Sequence, residues 1–146
     1  MLRDFKPEDR QAFIEMANQF YHSDAVLHAV PDANFELTFE YTQTRPELVR
    51  GLIFEMDGEM AGYALLSFTY SNEVGGMAVW LEEAFILPEF RGKGLGTELL
   101  SFVEEDYRGK IGRFRLEVEP RNEAAVRLYE RLGYKKLDYL QMYKEL

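Results

Sequence analysis

Cysteine is absent from this 146-residue chain, which excludes a disulfide framework, a thiolate metal site and a cysteine nucleophile. Histidine is almost absent: His22 and His28 are too few for a zinc site unless carboxylates complete it, so no metal is expected. Positive charge is in the minority. Seventeen Lys and Arg stand against 26 Asp and Glu, a net charge of -9, and nucleic acid selects the opposite balance. No apolar run approaches the roughly 18 to 20 residues that a membrane-spanning helix requires. Met1 to Pro7 has neither an apolar signal core nor the Arg- and Ser-rich character of a transit peptide. The expectation is a soluble, cytoplasmic protein with neither a nucleic-acid nor a membrane partner.

What is present can build a core. Hydrophobic content of 47% and aromatic content of 14% supply the apolar surface, and the length favours one domain over residues 1–146. An acidic surface attracts a cationic molecule such as an amine, although many ordinary proteins share it.

The pattern along the chain alternates between strand and helix signals. Leu2 to Phe5 reads as a short strand. Pro7-Glu8-Asp9 then opens a helix whose Phe13, Ile14, Met16, Ala17 and Phe20 recur at three- and four-residue steps. Between Tyr21 and Arg45 two readings stay open. Phe35, Leu37, Phe39 and Tyr41 alternate like a strand, while Asp32 or Asn34 would cap a helix. Val49 to Met56 and Met60 to Thr69 flank Asp57-Gly58, a strong hairpin signal. Met77 to Leu87 is a third long strand, ended by Pro88. A glycine-rich stretch leads into a helix from about Gly94 to Tyr107, and Phe114 to Glu119 is a strand closed by Pro120. Asn122 caps a helix that Gly133 stops, and Tyr134 to Tyr143 supplies one or two final strands. The fold class is α+β, an antiparallel meander followed by alternating strands and helices around a central mixed sheet.

Chemistry concentrates in Arg91-Gly92-Lys93-Gly94-Leu95-Gly96-Thr97, between a strand and a helix. Backbone N–H groups converge at a helix N-terminus, the dipole adds about half a positive charge there, and glycine lets an anion approach closely. Two common nucleotide loops do not fit. A Walker A loop needs glycine where Leu87 stands and Ser or Thr where Gly94 stands. A dinucleotide fingerprint needs glycine where Thr97 or Leu99 stands.

The remaining pattern, Arg-x-x-Gly-x-Gly after a strand that ends in proline, resembles the GNAT (Gcn5-related N-acetyltransferase) superfamily. The segment from Phe85 to Leu100 is similar to its acetyl-CoA motif, and Asn122 to Tyr134 is similar to its next motif, Asn-x-x-Ala-x-x-Leu-Tyr with a closing Gly-aromatic pair. Leu2-Arg3 with Asp9 looks like the family's opening strand and helix. The resemblance implies a mostly antiparallel sheet of six to seven strands flanked by about four helices. Acetyl-CoA would be co-substrate and an amine the acceptor, and a homodimer would form through the C-terminal strands.

It also implies residue roles. Phe85, Ile86 and Leu87 would offer backbone contacts to pantetheine, and one of their N–H groups would face the thioester oxygen. Arg91, Gly92, Lys93, Gly94, Leu95, Gly96 and Thr97 would hold the pyrophosphate. Tyr129 would touch the cofactor and serve as general acid, since a phenol with an ordinary value near ~10 can supply a proton to a departing thiolate. Asn122 is a helix cap that would also reach pantetheine. An alkyl amine is mostly protonated near neutral pH, so a base is required. Leu81-Glu82-Glu83-Ala84-Phe85-Ile86, preceded by Phe68-Thr69-Tyr70, is similar to the diamine (spermidine/spermine) acetyltransferases and points to Glu82, with Glu83 second. Strict strand alternation would send these two acids to opposite faces. Tyr21, His22, Asp24 and His28 fall where acceptor sites of the family are lined. The expected activity is acetyl transfer to the primary amine of a small, polyamine-like molecule. Transfer to a protein or peptide, or binding without catalysis, are the alternatives.

Overall fold

A computed structural model describes every residue except Asp24, Ala25 and Leu27. Five strands form one sheet in sequence order: β1 (Leu2–Asp4), β2 (Val49–Met56), β3 (Glu59–Ser71), β4 (Gly76–Ile86) and β5 (Arg113–Leu116). The first four are antiparallel to their neighbours and β5 runs parallel to β4. Four helices cover the two faces: α1 (Arg10–Tyr21), α2 (Asp32–Thr44), α3 (Leu95–Tyr107) and α4 (Glu123–Arg131). None of the described helices is long and apolar enough to cross a membrane.

The hairpin signal at Asp57-Gly58 is realised, with φ of 54° and 82° at the two turn residues. In the ambiguous stretch after Tyr21 the helix wins. Phe35 and Phe39, four residues apart, are buried on one face of α2, whereas Leu37 and Tyr41 of the same alternating run are exposed. Alternation there is incidental to a 3.6-residue period.

One core lies between the sheet and α3. Leu95, Leu99, Leu100 and Val103 pack on Leu52, Phe54, Ala64, Leu66, Val79 and Leu81, with Tyr129 and Tyr134 against its edge. The other lies between the sheet and the first two helices, where Phe13, Met16, Phe35 and Phe39 meet Ile53, Tyr63, Leu65 and Phe85. Removing this much apolar surface from water is the main source of stability.

Two expectations are corrected. The sheet has five strands rather than six to seven, because no strand forms among residues 132–146. The Tyr134 N–H reaches the Tyr129 carbonyl, and residues 135–146 make no backbone–backbone hydrogen bond to any described residue. Apolar residues at 137, 139, 140, 142 and 143 fall on both faces of an extended chain, so no register is specified. This segment is held by side chains, Tyr134 near Phe114 and Tyr139 on Glu73. Second, β5 spans four residues instead of Phe114 to Glu119, because its partner strand turns away after Leu81.

A buried ion pair ties β1 to the start of α1. Arg3 donates from Nη1 and Nη2 to the two oxygens of Asp9, at 2.7 and 3.0 Å, and from Nε to Glu55. Asp9 also accepts from the Lys6 backbone N–H at 2.6 Å. Burial works to raise the Asp9 carboxyl, but the Arg3 guanidinium and that amide hold it below the ordinary carboxylate range. Arg3→Ala leaves a fully buried carboxylate without its counter-charge and should cost about 3–5 kcal/mol of unfolding free energy. The folded value lies below the unfolded one, so this stability is present at neutral pH and is lost as pH falls through the acid range. Urea melts at several acidic and neutral pH values should show a flattened or inverted acid limb in the variant. A loss below about 1 kcal/mol at neutral pH would mean the pair is no more than a surface bridge.

Candidate active site

The site is organised by one extra residue in β4. Leu66 of β3 faces Leu81, but Leu65 faces Glu83, so Glu82 has no partner and forms a bulge. Side-chain alternation inverts there. Before the bulge Val79 and Leu81 point to the α3 core; after it Ala84 and Ile86 do. Phe85 joins the core under α1 and α2.

Glu82 and Glu83 consequently share a face, contrary to the expectation from strict alternation. Glu82 accepts from the Ser67 hydroxyl and is exposed. Ser67, like Tyr63 and Leu65, lies at an odd position of β3 and points to the α1 and α2 side. Glu83 is half-buried on that same side. Its Oε1 accepts from the Tyr21 hydroxyl at 2.5 Å and its Oε2 from the Tyr63 hydroxyl at 2.7 Å. Burial pushes the Glu83 carboxyl up, the two phenols pull it down, and the Glu82 charge adds to the rise; the net direction is upward. Burial, reinforced by the same carboxylate, raises both Tyr21 and Tyr63, so the phenols remain donors.

Beyond the bulge β4 leaves β5. Pairing stops at Leu81 and Leu116, while β4 continues five residues to Ile86. It stays against β3 because Gly62 lets it: any Cβ there would collide with the Phe85 carbonyl oxygen. The Leu87 N–H is spent on the Ala61 carbonyl at 2.9 Å. Alternate residues of an antiparallel ladder point the other way, so the Ile86 amide faces the space left by β5. Its carbonyl does too, and accepts from Arg91 Nε at 2.9 Å. Of the three residues expected to offer main-chain contacts, Ile86 is the one with an N–H aimed there, and Phe85 contributes its ring to the core.

The glycine loop follows directly. Gly92 and Gly94 have φ of 73° and 82°, and nothing lies within 4 Å of where a Cβ would stand on either, leaving an open concave face. Gly94 is the N-cap of α3 and provides no side-chain acceptor. The first intrahelical bond runs from the Glu98 N–H to the Gly94 carbonyl, so the N–H groups of Leu95, Gly96 and Thr97 have no acceptor in the helix. Arg91 and Lys93 are exposed beside them, over the rings of Phe85 and Phe90. Three amides with no acceptor among the described residues, a helix dipole and two cations suit a pyrophosphate.

Gly96 also seats α4, since a Cβ on it would approach Leu128 Cδ2 to 3.1 Å. Asn122 caps α4 by accepting from the Ala125 N–H at 3.3 Å. Tyr129 packs on Tyr134 with ring centroids 5.9 Å apart. Its hydroxyl makes no hydrogen bond to any described residue, and burial raises it above the ordinary phenol value.

Other residues singled out in the sequence separate. His22 closes α1, its Nδ1 2.6 Å from the Asn18 carbonyl, and the His28 ring lies 6.3 Å from that of Tyr143. Asp24 lies outside the described residues. Sequence reading missed Tyr63, Ser67, Trp80 and Arg115, which join the acid face only through strand pairing. Among the described residues no cluster of three His, Asp or Glu could hold a metal ion.

This arrangement can be set beside known proteins. Residues 10–134 match the model of the acetyltransferase (GNAT) family, and the chain belongs to that family. Over 75 residues it is 40% identical to the thialysine N-epsilon-acetyltransferase of Mus musculus, covering 51% of this chain and 44% of that protein. Over 90 residues it is 33% identical to the spermine/spermidine N(1)-acetyltransferase of Bacillus subtilis (strain 168), covering 58% and 57%. The chain thus spans about half the length of the curated relatives it matches. Its fold superimposes with a TM-score of 0.81 on AAC(6')-Iy in complex with a CoA bisubstrate analogue, at 19% identity, covering 100% of this chain and 97% of that one.

The Glu83 environment makes a thermodynamic prediction. Its folded value lies above the unfolded one, so its contribution is full below the ordinary carboxylate range and is lost as pH rises through the raised value. Relative to Glu83→Gln, the wild-type protein should therefore lose stability as pH rises from the acid range through neutral. Thermal melts of both proteins across that range test it. A stability difference that does not move with pH would contradict the assignment.

Proposed function

We propose that the chain transfers acetyl from acetyl-CoA directly to the primary amine of a small molecule, with no metal and no covalent enzyme intermediate. The observation that carries this reading is the divergence of β4 from β5. It sets the Ile86 amide between a pyrophosphate-type loop on one side and two acids on the other. Relatives named for acetylating thialysine and spermine or spermidine support an amine acceptor.

In this reading the loop from Arg91 to Thr97 grips the pyrophosphate, and the Ile86 N–H opposes the charge that builds on the thioester oxygen. Glu82, exposed and able to exchange protons with water, takes a proton from the acceptor ammonium through a water molecule. Glu83, with both oxygens already accepting from phenols, holds the cationic group in place. Glu82 passes that proton on to solvent; the free amine attacks the carbonyl carbon, the C–N bond forms, and the nitrogen releases its second proton to water. As the C–S bond breaks, Tyr129 gives its proton to the sulfur and regains one from solvent. Giving up a phenol proton to a thiolate is uphill by roughly 2 kcal/mol at ordinary values, and burial steepens it. The phenolate is therefore short-lived and the transfer is coupled to bond cleavage.

Tyr129→Phe should lower kcat about 100-fold or more while CoA affinity changes little. Thiol release and calorimetric titration with CoA measure the two separately. An unchanged kcat removes Tyr129 from the chemistry. If no amine stimulates thiol release in the wild-type protein, the transferase reading fails and binding without catalysis takes its place.

The loop has its own test. Gly94→Val forces a β-branched residue to φ of 82° and blocks the open face, so CoA affinity should fall at least about tenfold, with a loss of folding stability on the order of 1 kcal/mol. CoA binding equal to wild type would put the pyrophosphate elsewhere.

A further inference from the structure

The acid face of the sheet ends in a cation that makes no ion pair with any described residue, although its charge helps to lower the nearby Glu73 carboxyl. Arg115 of β5 pairs in register with Trp80 of β4, and Trp80 pairs with Ser67 of β3. Ser67 donates to Glu82. The neighbours of Arg115 on its own strand, Phe114 and Leu116, point into the α3 core. Arg115, Trp80 and Ser67 therefore form one row across the face opposite α3, and Glu82 and Glu83 lie on the same face further along β4. The Arg115 guanidinium lies over the indole, its central carbon 4.0 Å from the ring centroid.

Among the described residues Arg115 makes no hydrogen bond and no ion pair. Two strand positions away, Arg113 is bound to Glu73 at 2.8 Å, and that carboxylate also accepts from Tyr139. The difference is not one of exposure, since both arginines are half-buried. A guanidinium held over an aromatic face by cation–π attraction can still offer N–H groups at its rim to a planar anion. The indole strips water from one side of it, which strengthens a charge-assisted bond at the rim.

We propose that Arg115, held on Trp80, binds a carboxylate of the acceptor, and that the acceptor is an amino-acid-like molecule whose reacting amine lies at the far end of a short chain. This rests on the transferase reading and deepens it. Trp80 and Glu82 are two strand residues apart, about 6 to 7 Å. A molecule with its ammonium at Glu82 and Glu83 and its carboxylate at Arg115 has a linker of roughly four or five bonds. A diamine or polyamine of the same length would bring a second ammonium to the guanidinium, and like charges there disfavour it.

The test uses L-lysine, its decarboxylated counterpart cadaverine, and spermidine as acceptors, with the full chain and Arg115→Gln. Wild type should use lysine at least about tenfold better in kcat/KM than cadaverine or spermidine. In Arg115→Gln the KM for lysine should rise about 10- to 100-fold with kcat nearly unchanged, and the values for cadaverine should hold or improve. Trp80 is the only tryptophan in the chain and gives a readout independent of turnover. With CoA present, lysine should change its fluorescence and cadaverine should not, and the response should vanish in the variant. Equal use of lysine and cadaverine by wild type overturns the proposal while leaving the transferase reading intact. So does an Arg115→Gln defect of the same size on all three amines, which would mark a structural role. Thiol release with none of them, together with a silent Trp80, sinks both.

Discussion

The residue without a partner at position 82 governs what this sheet can do. A strand alternates its side chains strictly, so an uninterrupted β4 would place Glu82 and Glu83 on opposite faces and continue beside β5. One inserted residue changes both outcomes. It turns Phe85 into the core below α1 and α2 and gathers two carboxylates on that side. It also coincides with the point where β4 and β5 part. A bulge is locally unfavourable, because one residue leaves the ladder, and its persistence requires that packing on both sides determine it. Here the two cores do so. Leu81 is anchored before the bulge and Phe85 after it, in opposite layers.

Glycine supplies the second half of the arrangement. Gly62 allows the β4 backbone to lie tight on β3 where it has lost β5, so the strand keeps one neighbour with its other edge unpaired. Unpaired edges invite association with other chains, and proteins usually cover or shorten them. In this molecule the bare stretch is short and flanked by a glycine loop and a helix start with unclaimed N–H groups of their own. Donors that would be a liability elsewhere are here concentrated around one space, where a ligand rich in acceptors can satisfy them together.

What could be read from the sequence follows from how local each feature is. The Asp57-Gly58 hairpin, the Gly94 start of α3 and the Asn122 cap depend on a few adjacent residues, and each stands where expected. The glycine loop was legible for the same reason. Glu82 and Glu83 were visible as candidates, but their shared face was not, because a bulge arises from pairing between residues 65–66 and 81–83 and leaves no local trace. Trp80 and Arg115 are 35 positions apart and meet only through a parallel pairing. The tail from Tyr134 shows the opposite failure. Its composition suits strands, but strands need a partner ladder and a consistent inward face, and this segment has neither.

The two neighbouring acids divide their work by environment. Glu83 sits under two phenols whose own values are raised, so protons on Tyr21 and Tyr63 stay in place and the carboxylate is fixed in direction. A group so held is suited to orienting a cation and poorly suited to handing a proton onward, since each oxygen would first have to give up a donor. Glu82 keeps one hydroxyl partner and open contact with water, which is what a relay needs. The Glu82 charge also favours the neutral form of Glu83. An ammonium bound there, as proposed, would reverse that balance, because a positive charge stabilises the carboxylate form. In the proposed reaction, recognition and activation of the amine would be coupled through the same two carboxylates, and the bulge is what puts them on one face.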